Sequence, residues 1–377
     1  MAPDPDVAKG LAGVVVDTTS VSMVNSDTNS LTYRGYPVQE LAALCTFEEV
    51  AYLIWHGELP TAEQLAAFTT AERSQRVVDP RILGILSMLP VDCHPMDVLR
   101  TAVSCAGAFD PTPGDSSVPA NLKRSLSLMA KLPTIAAFDQ RRRRNQEPIA
   151  PDPALGFAAN FLQMCFGSVP EPEIVAAFQV SLILYAEHGF NASTFTARVV
   201  TSTRSDLYSA VTAAIGALKG PLHGGANEAV MYMLLEIDEP GNAPQWIRDA
   251  LGRNAKIMGF GHRVYKHGDS RVPAMAASLA DVAKLRHADN LMALYSAVEE
   301  AMLAEKGIHP NLDFPTGPAF YLMGFDIPVF TPLFVISRIT GWTAHVIEQQ
   351  SANSLIRPLG KYVGPAQRDV LTTIPRS

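Results

Sequence analysis

Three histidines in this 377-residue chain stand beside glycines, in Glu187-His188-Gly189, in Gly220-Pro-Leu-His223-Gly-Gly-Ala-Asn227 and in Gly259-Phe-Gly-His262-Arg263. Glycine lets backbone come close to a ligand, and catalytic groups collect on loops carried by rigid elements. His223 follows a helix stop and precedes what reads as the start of another helix, whose free N–H groups would hold its imidazole neutral. The competing reading is a histidine bonded to loop carbonyls. His262 lies nine positions before Arg271, where a basic surface loop is the alternative. His188 ends an apolar helix and shares a face with Asn191, Ala192 and Phe195, as a satisfied core histidine would. Asp313, in Pro310-Asn-Leu-Asp-Phe-Pro-Thr-Gly317, has apolar neighbours that would raise its pKa and make it a better base. It would otherwise cap a helix beginning near Pro315. Arg338 sits inside an apolar helical run, where a guanidinium is costly unless it meets an anion. Arg357, in Leu-Ile-Arg-Pro-Leu-Gly360, is less diagnostic. Three imidazoles, one carboxylate and three arginines are the inventory for reacting a dicarboxylate with a carbon acid.

The elements that must position these groups are helical. The clearest helix runs from Thr331 to about Ala352, with Thr331 as N-cap, Pro332 at the first helical position, and Val335, Ile339, Trp342 and Val346 at helical spacing. A second spans Ser205 to Lys219, with Ser205 capping, Asp206 in the first turn and Gly220-Pro221 ending it. A third runs from about Pro172 to His188. Further amphipathic stretches cover 38–56, 61–76, 96–108, 155–166, 243–252 and 290–305. Only Gly13 to Val24 reads as a strand or hairpin, so the class is mainly α. Turn-rich loops fall at 109–120 and around 239–244, and Arg141 to Arg144 reads as a solvated face as readily as a site.

Composition narrows the function. The chain is 47% hydrophobic and 18% charged, with 37 acidic against 30 basic residues and a net charge of −7, which disfavours disorder and non-specific nucleic-acid binding. Four cysteines without a CxxC pair suit a reducing cytoplasm. No run approaches the roughly 18 apolar residues of a membrane span, and no basic-then-apolar leader opens the chain, so a soluble, unexported protein is expected. The phosphate-binding GxxxxGK[ST] and the zinc-binding HExxH are absent, and Gly259-Phe-Gly261 lacks the third glycine of a dinucleotide fingerprint. A metal hydrolase using His188, His223, His262 and Asp313 is a second reading, weakened because no two of them stand at i, i+4. A helical interaction protein without activity is a third, opposed by the intact His223, His262 and Asp313.

In order and spacing, Gly-Pro-Leu-His223-Gly-Gly-Ala-Asn-Glu, Gly-Phe-Gly-His262-Arg-Val-Tyr and Asn-Leu-Asp313 resemble the catalytic segments of citrate synthases. The likeness extends from Gly10-Leu-Ala-Gly and Tyr33-Arg-Gly-Tyr-Pro37 to Ile356-Arg-Pro-Leu. Asn191-Ala-Ser-Thr-Phe-Thr-Ala-Arg198 and the stretch from Phe330 to His345 are most similar to the short bacterial 2-methylcitrate synthases within that family.

The resemblance implies an all-α, two-domain homodimer acting in the cytoplasm. Residues 1–224 and 331–377 would form a large helical domain, discontinuous around a small one at 225–330 that closes over the cleft. It implies condensation of propanoyl-CoA, and of acetyl-CoA too, with oxaloacetate. No cofactor or metal is implied, and neither a nucleic acid nor a membrane is a partner. His223 and Asp313 would enolise the acyl-CoA while His262 polarises the ketone. His188, Arg271, Arg338 and Arg357 would hold oxaloacetate, with Arg357 supplied across the dimer. Lys256, Ile257, Met258, Gly259, Phe260, Lys266 and Arg141 would contact coenzyme A. Where many relatives have Asp-Pro-Arg, this chain has Asp269-Ser270-Arg271, which is not expected to disturb the arginine. Because the likeness begins by residue 10, the N-terminal regulatory domain of the long relatives, and NADH control with it, are not expected.

Overall fold

The computed structural model describes residues 7–11, 13–25, 27–262, 264–265 and 268–368. A small antiparallel sheet comes first: β1 (Ser22–Asn25), β2 (Ser30–Tyr33) and β3 (Tyr36–Pro37), in that spatial order. Sixteen α-helices follow among the described residues. The first five are α1 (Val38–Leu44), α2 (Phe47–His56), α3 (Ala62–Ser74), α4 (Pro80–Ser87) and α5 (Pro95–Phe109). Next come α6 (Val118–Arg143), α7 (Phe157–Phe166), α8 (Pro172–Tyr185), α9 (Ala192–Ser202) and α10 (Leu207–Leu218). Then α11 (Ala226–Ile237), α12 (Ala243–Gly252), α13 (Val272–Leu285), α14 (Asp289–Lys306) and α15 (Asp313–Leu322) precede the final α16 (Phe330–Ser351). The expected all-α class is what the chain adopts.

The core is organised around α16. Every residue from Phe330 to Val346 is buried, and the helix is surrounded by α2, α5, α6, α8, α9 and α10. A helix buried on all sides must find internal partners for every polar side chain it carries. Those partners are the parts of the site described below. The helices α11 to α15 pack mainly on one another, α11 against α15, α12 against α14 and α13 against α15. They reach the rest chiefly through α8, which contacts α13 and α15, and through α16, which contacts α11.

Several boundaries differ from expectation for local reasons. The 38–56 stretch is two helices, because α1 stops at Leu44 with Cys45 extended as its C-cap and Thr46 opens α2 with a reciprocal capping box to Glu49. Asp206, not Ser205, caps α10, accepting the Ser209 N–H at 2.9 Å. Thr331 does not cap α16, since a 3₁₀ turn at Ile327–Val329 runs straight into the helix. The Thr331 N–H goes instead to Glu228, 3.2 Å away. The strand expected at 13–24 forms only from Ser22. The third helix ends at Tyr185, three residues before His188, where the Tyr33 hydroxyl donates to the Ile183 carbonyl (3.0 Å) and accepts the Glu187 N–H (3.3 Å).

Candidate active site

His188 therefore stands in a turn beyond α8, held by Gly189 at φ 58°. It is buried, and its Nε2 has no partner among the described residues. Its ring lies 4.9 Å from that of His262 and 5.7 Å from that of Tyr265. Burial, then Arg271, His262 and Arg338, press its pKa well below the ordinary value, so the ring is neutral. A buried, neutral imidazole with a free nitrogen can accept or donate one more hydrogen bond.

The two remaining histidines have their tautomers decided by backbone donors, which cannot accept. The N–H groups of Val264 and Tyr265 both point at Nδ1 of His262, at 3.1 and 3.2 Å. The proton of neutral His262 is therefore on Nε2, which is left to donate outward. The Ser193 N–H reaches Nε2 of His223 at 3.2 Å, with the Ser193 hydroxyl 2.8 Å from the same atom. The proton of neutral His223 is therefore on Nδ1. Burial, followed by a neighbouring arginine in each case, holds both rings down to about 4. Burial and Arg338, rather than the N–H groups of α11, keep His223 neutral, and the backbone N–H that reaches its ring belongs to Ser193 in the first turn of α9. Trp342 completes this arrangement by donating to the Ser193 hydroxyl at 3.0 Å.

Asp313 opens α15 itself, so the helix begins two residues earlier than Pro315. Its Oδ1 accepts the Tyr185 hydroxyl at 2.6 Å, and its N–H donates to Asn311. Burial pushes its pKa up to about 6, and the Tyr185 bond, Arg271 and Arg338 only partly offset that. Apolar surroundings do raise this carboxyl, as the flanking residues suggest. Tyr185 also packs 4.1 Å from the ring of Phe334, which lies 6.2 Å from His223 and 4.7 Å from the Arg338 guanidinium. Phe334 thus joins the acid, the histidine and the arginine in one cluster.

The arginines separate into two kinds. Arg271 is buried and forms a two-point ion pair with Asp269, at 2.9 and 2.7 Å. Asp269 raises its pKa against the opposing effect of burial. Ser270 leaves this pair intact, turning its hydroxyl to Tyr265 at 3.1 Å. Arg338 is also buried, and its Nε donates to the Tyr185 carbonyl at 2.6 Å. Its Nη1 has no partner among the described residues, and burial lowers its pKa to about 10. An uncommitted guanidinium N–H, in the same buried region as a neutral imidazole whose Nε2 has no partner among the described residues, is a place for a carboxylate.

The segment from Lys256 to Phe260 approaches from the other side. Lys256 is exposed, Met258 half-buried, and Ile257 and Phe260 are buried. The Phe260 ring packs at a tilt 4.5 Å from that of Phe314, the residue after Asp313. Gly259 has φ 83°, and a Cβ there would lie 2.5 Å from Val230 Cγ2, so glycine is required. Lys266 lies outside the described residues. Arg357 is exposed and Arg141 stands at the end of α6, where its Nε and Nη1 go to the carbonyls of Glu147 and Cys165. Among the described residues no contact brings either of them to this cluster. Tyr185, Ser193, Asp269 and Phe334 belong to the site and escaped the reading of the sequence. Only Asp269, two residues from Arg271, carried a local signal.

The model of the citrate synthase C-terminal domain matches residues 10–359. The 2-methylcitrate synthase of Mycobacterium tuberculosis (strain H37Rv) is 62% identical over 364 residues, covering 97% of this chain and 92% of that one. The citrate synthase of Mycolicibacterium smegmatis is 60% identical over 367 residues, covering 97% and 98%. A solved ternary complex of carboxymethyl coenzyme A and oxaloacetate with the citrate synthase of Thermoplasma acidophilum superposes with a TM-score of 0.91 at 31% identity, over 97% of this chain and 98% of that one.

Proposed function

The chain belongs to the citrate synthase family, and from that premise we propose that it condenses propanoyl-CoA, and acetyl-CoA as a second substrate, with oxaloacetate and water to give 2-methylcitrate or citrate and free coenzyme A. The observation that carries the reading is a pair of neutral histidines, each with its donor nitrogen assigned by backbone N–H groups, grouped with a carboxyl of raised pKa.

Asp313 takes the α-proton of the acyl-CoA. A thioester α-proton is far less acidic than a carboxylic acid, so the enolate oxygen must be stabilised as it forms, and Nδ1–H of His223 does this. Neutrality matters, because the donor has to remain an imidazole through the cycle. The enolate carbon attacks the oxaloacetate ketone, whose oxygen receives the Nε2–H of His262. Arg271, Arg338 and His188 fix the keto acid, converting a bimolecular encounter into an oriented one. Water then hydrolyses the thioester and coenzyme A leaves. Coenzyme A enters and departs with the substrate, so the reading requires no cofactor. Lys256 to Phe260 line its path, and Arg141 enters only through the nitrogen it has not committed to carbonyls.

The same reading takes 225–330 as a small domain that closes over the cleft and excludes water until the new bond exists. The mutual packing of α11 to α15 supports it. Glu228 supports it too, because its carboxylate receives Thr331 and so ties together the two places where the chain crosses between the domains. The working unit is a homodimer in which Arg357 reaches the partner's site. Two features favour this: the exposed Leu355, Leu359, Tyr362 and Val363 beyond α16, and a groove of about 590 Å³ between α5 and α10 lined by Gly107, Ala108, Ala213 and Gly216. No helix among the described residues is long and apolar enough to cross a membrane. The scattered free cysteines favour the cytoplasm.

A side-by-side kinetic comparison tests the substrate assignment. The kcat/KM for propanoyl-CoA is expected to be at least comparable with that for acetyl-CoA, because the segments 191–198 and 330–345 resemble those of 2-methylcitrate synthases and the chain is 62% identical to one of them. Turnover of acetyl-CoA alone would make this a citrate synthase without the wider specificity.

A further inference from the structure

Glu187 and His345 are both completely buried, and neither has a part in the chemistry above. Glu187 precedes the substrate-binding His188, and His345 stands two helical turns beyond Arg338 on α16. Their bond, His345 Nε2 to Glu187 Oε1, is 2.9 Å. The same Oε1 also accepts the Ser22 hydroxyl at 2.9 Å and the Gly189 N–H. Among the described residues, the hydrogen bonds to this carboxylate all fall on one oxygen. The other, Oε2, has no partner among the described residues, and neither has Nη1 of Arg338.

These two unsatisfied groups belong to opposite charges in the same buried region. Glu187 is held below its ordinary pKa: burial alone would raise it, but His345 and then Arg338 outweigh burial, so the side chain is anionic. Its Oε2 lies against α16 itself, where a Cβ on Gly341 would be 2.2 Å away. Gly341 is one turn from Arg338. An unpaired buried carboxylate oxygen and an unpaired buried guanidinium N–H cost free energy separately and would gain by meeting.

We propose that His345, with Ser22 and the Gly189 N–H, anchors the Glu187 carboxylate by one oxygen and so keeps it from occupying Arg338, which stays free for the carboxylate of the incoming keto acid. Glu187 then balances the buried guanidinium through space in the empty site without competing for its donors. His345 and Glu187 are positioning residues, acting through Arg338 and never touching the substrate. The proposal rests on the reading that Arg338 binds oxaloacetate.

The test is a double-mutant cycle on the KM for oxaloacetate at saturating acyl-CoA. His345→Phe removes the main anchor, so Glu187 turns to Arg338 and competes with the substrate. The expected result is a KM raised about tenfold, with kcat within about threefold, the size of effect that one charge-assisted bond can produce. Adding Glu187→Gln removes the competitor, and the KM should return to within about threefold of the Glu187→Gln value. A pair that merely props up the fold predicts a double variant as impaired as His345→Phe or worse, and that result would overturn the proposal. His345→Gln, which keeps an N–H donor, should restore the wild-type KM, and failure to do so also counts against it. If His345→Phe does not fold, Ser22→Ala replaces it. That variant should raise the KM about threefold and lose the effect in the Glu187→Gln background, while persistence of the effect refutes the proposal. Arg338→Leu separates the two levels of inference. An unchanged oxaloacetate KM in that variant sinks the role of Arg338 and takes this proposal with it, whereas a raised KM without rescue in the double variant sinks this proposal alone.

Discussion

A carboxyl with its pKa pushed up to about 6 is still largely ionised at neutral pH, and the protein bears the cost of that ionisation. Asp313 titrates higher folded than unfolded, so its contribution to stability is fully present below about pH 4 and is lost as pH rises through 6. The shift from 3.8 to about 6 corresponds to roughly 3 kcal/mol at pH 7. Asp313→Asn should therefore abolish condensation yet raise the unfolding free energy by an amount of that order at pH 7, with the gain vanishing near pH 4. Denaturant titrations at the two pH values measure it, and equal gains at both would contradict the assigned pKa. The same ionisation sets an acid limb on the wild-type rate. Since His223 and His262 stay neutral down to about 4, kcat/KM for the acyl-CoA should fall tenfold per unit below about pH 6 and be governed by Asp313. At this scale the sequence is informative where a motif is contiguous. His223, His262 and Asp313 lie in short glycine- or proline-marked segments, whereas Ser193 and Tyr185, which decide a tautomer and hold the base, lie 30 and 128 residues from the groups they serve.

Helix α16 shows what one element contributes. Arg338, Gly341, Trp342 and His345 recur at helical spacing along one face, and each meets the chain between Tyr185 and Ser193. Gly341 allows that approach, since a Cβ would lie 2.5 Å from the Ala186 carbonyl as well as against Glu187. Gly341→Ala is expected to cost about 1–3 kcal/mol of stability through overpacking. It should also raise the KM for oxaloacetate, because the displaced turn carries His188. Urea unfolding and substrate saturation curves report the two effects, and a stable variant with an unchanged KM would mean that the close approach positions nothing. The hydrophobic period made α16 readable, but not its start, which a preceding 3₁₀ turn shifted to Phe330. The longest helix, α6, escaped notice because Pro133 stands inside it. An interior proline normally signals a break, and here burial of the surrounding face overrides that local preference.

At the scale of the whole molecule, the proposed homodimer predicts which subunit completes each site. Arg357 is exposed in the segment after α16. If it acts across a dimer, mixing Asp313→Ala subunits with Arg357→Ala subunits, each inactive alone, should restore activity once subunits exchange. One of the two sites then has Asp313 from one chain and Arg357 from the other. If it acts within its own chain, both sites lack an essential group and no activity returns, although the roles of His223, His262 and Asp313 would be unaffected. The sequence by itself determined the helical class, through apolar residues at helical spacing, and the reaction, through three short segments whose order and residue types resemble one family. Tertiary structure alone decided which nitrogen of each imidazole carries the proton, which arginine is already paired and which is free, and how Glu187 is kept from the free one. The physical reason is that hydrogen-bond direction and burial depend on atoms brought together from distant parts of the chain. Spacing along a sequence reports neighbours on one element, and the groups that tune this site lie on different ones.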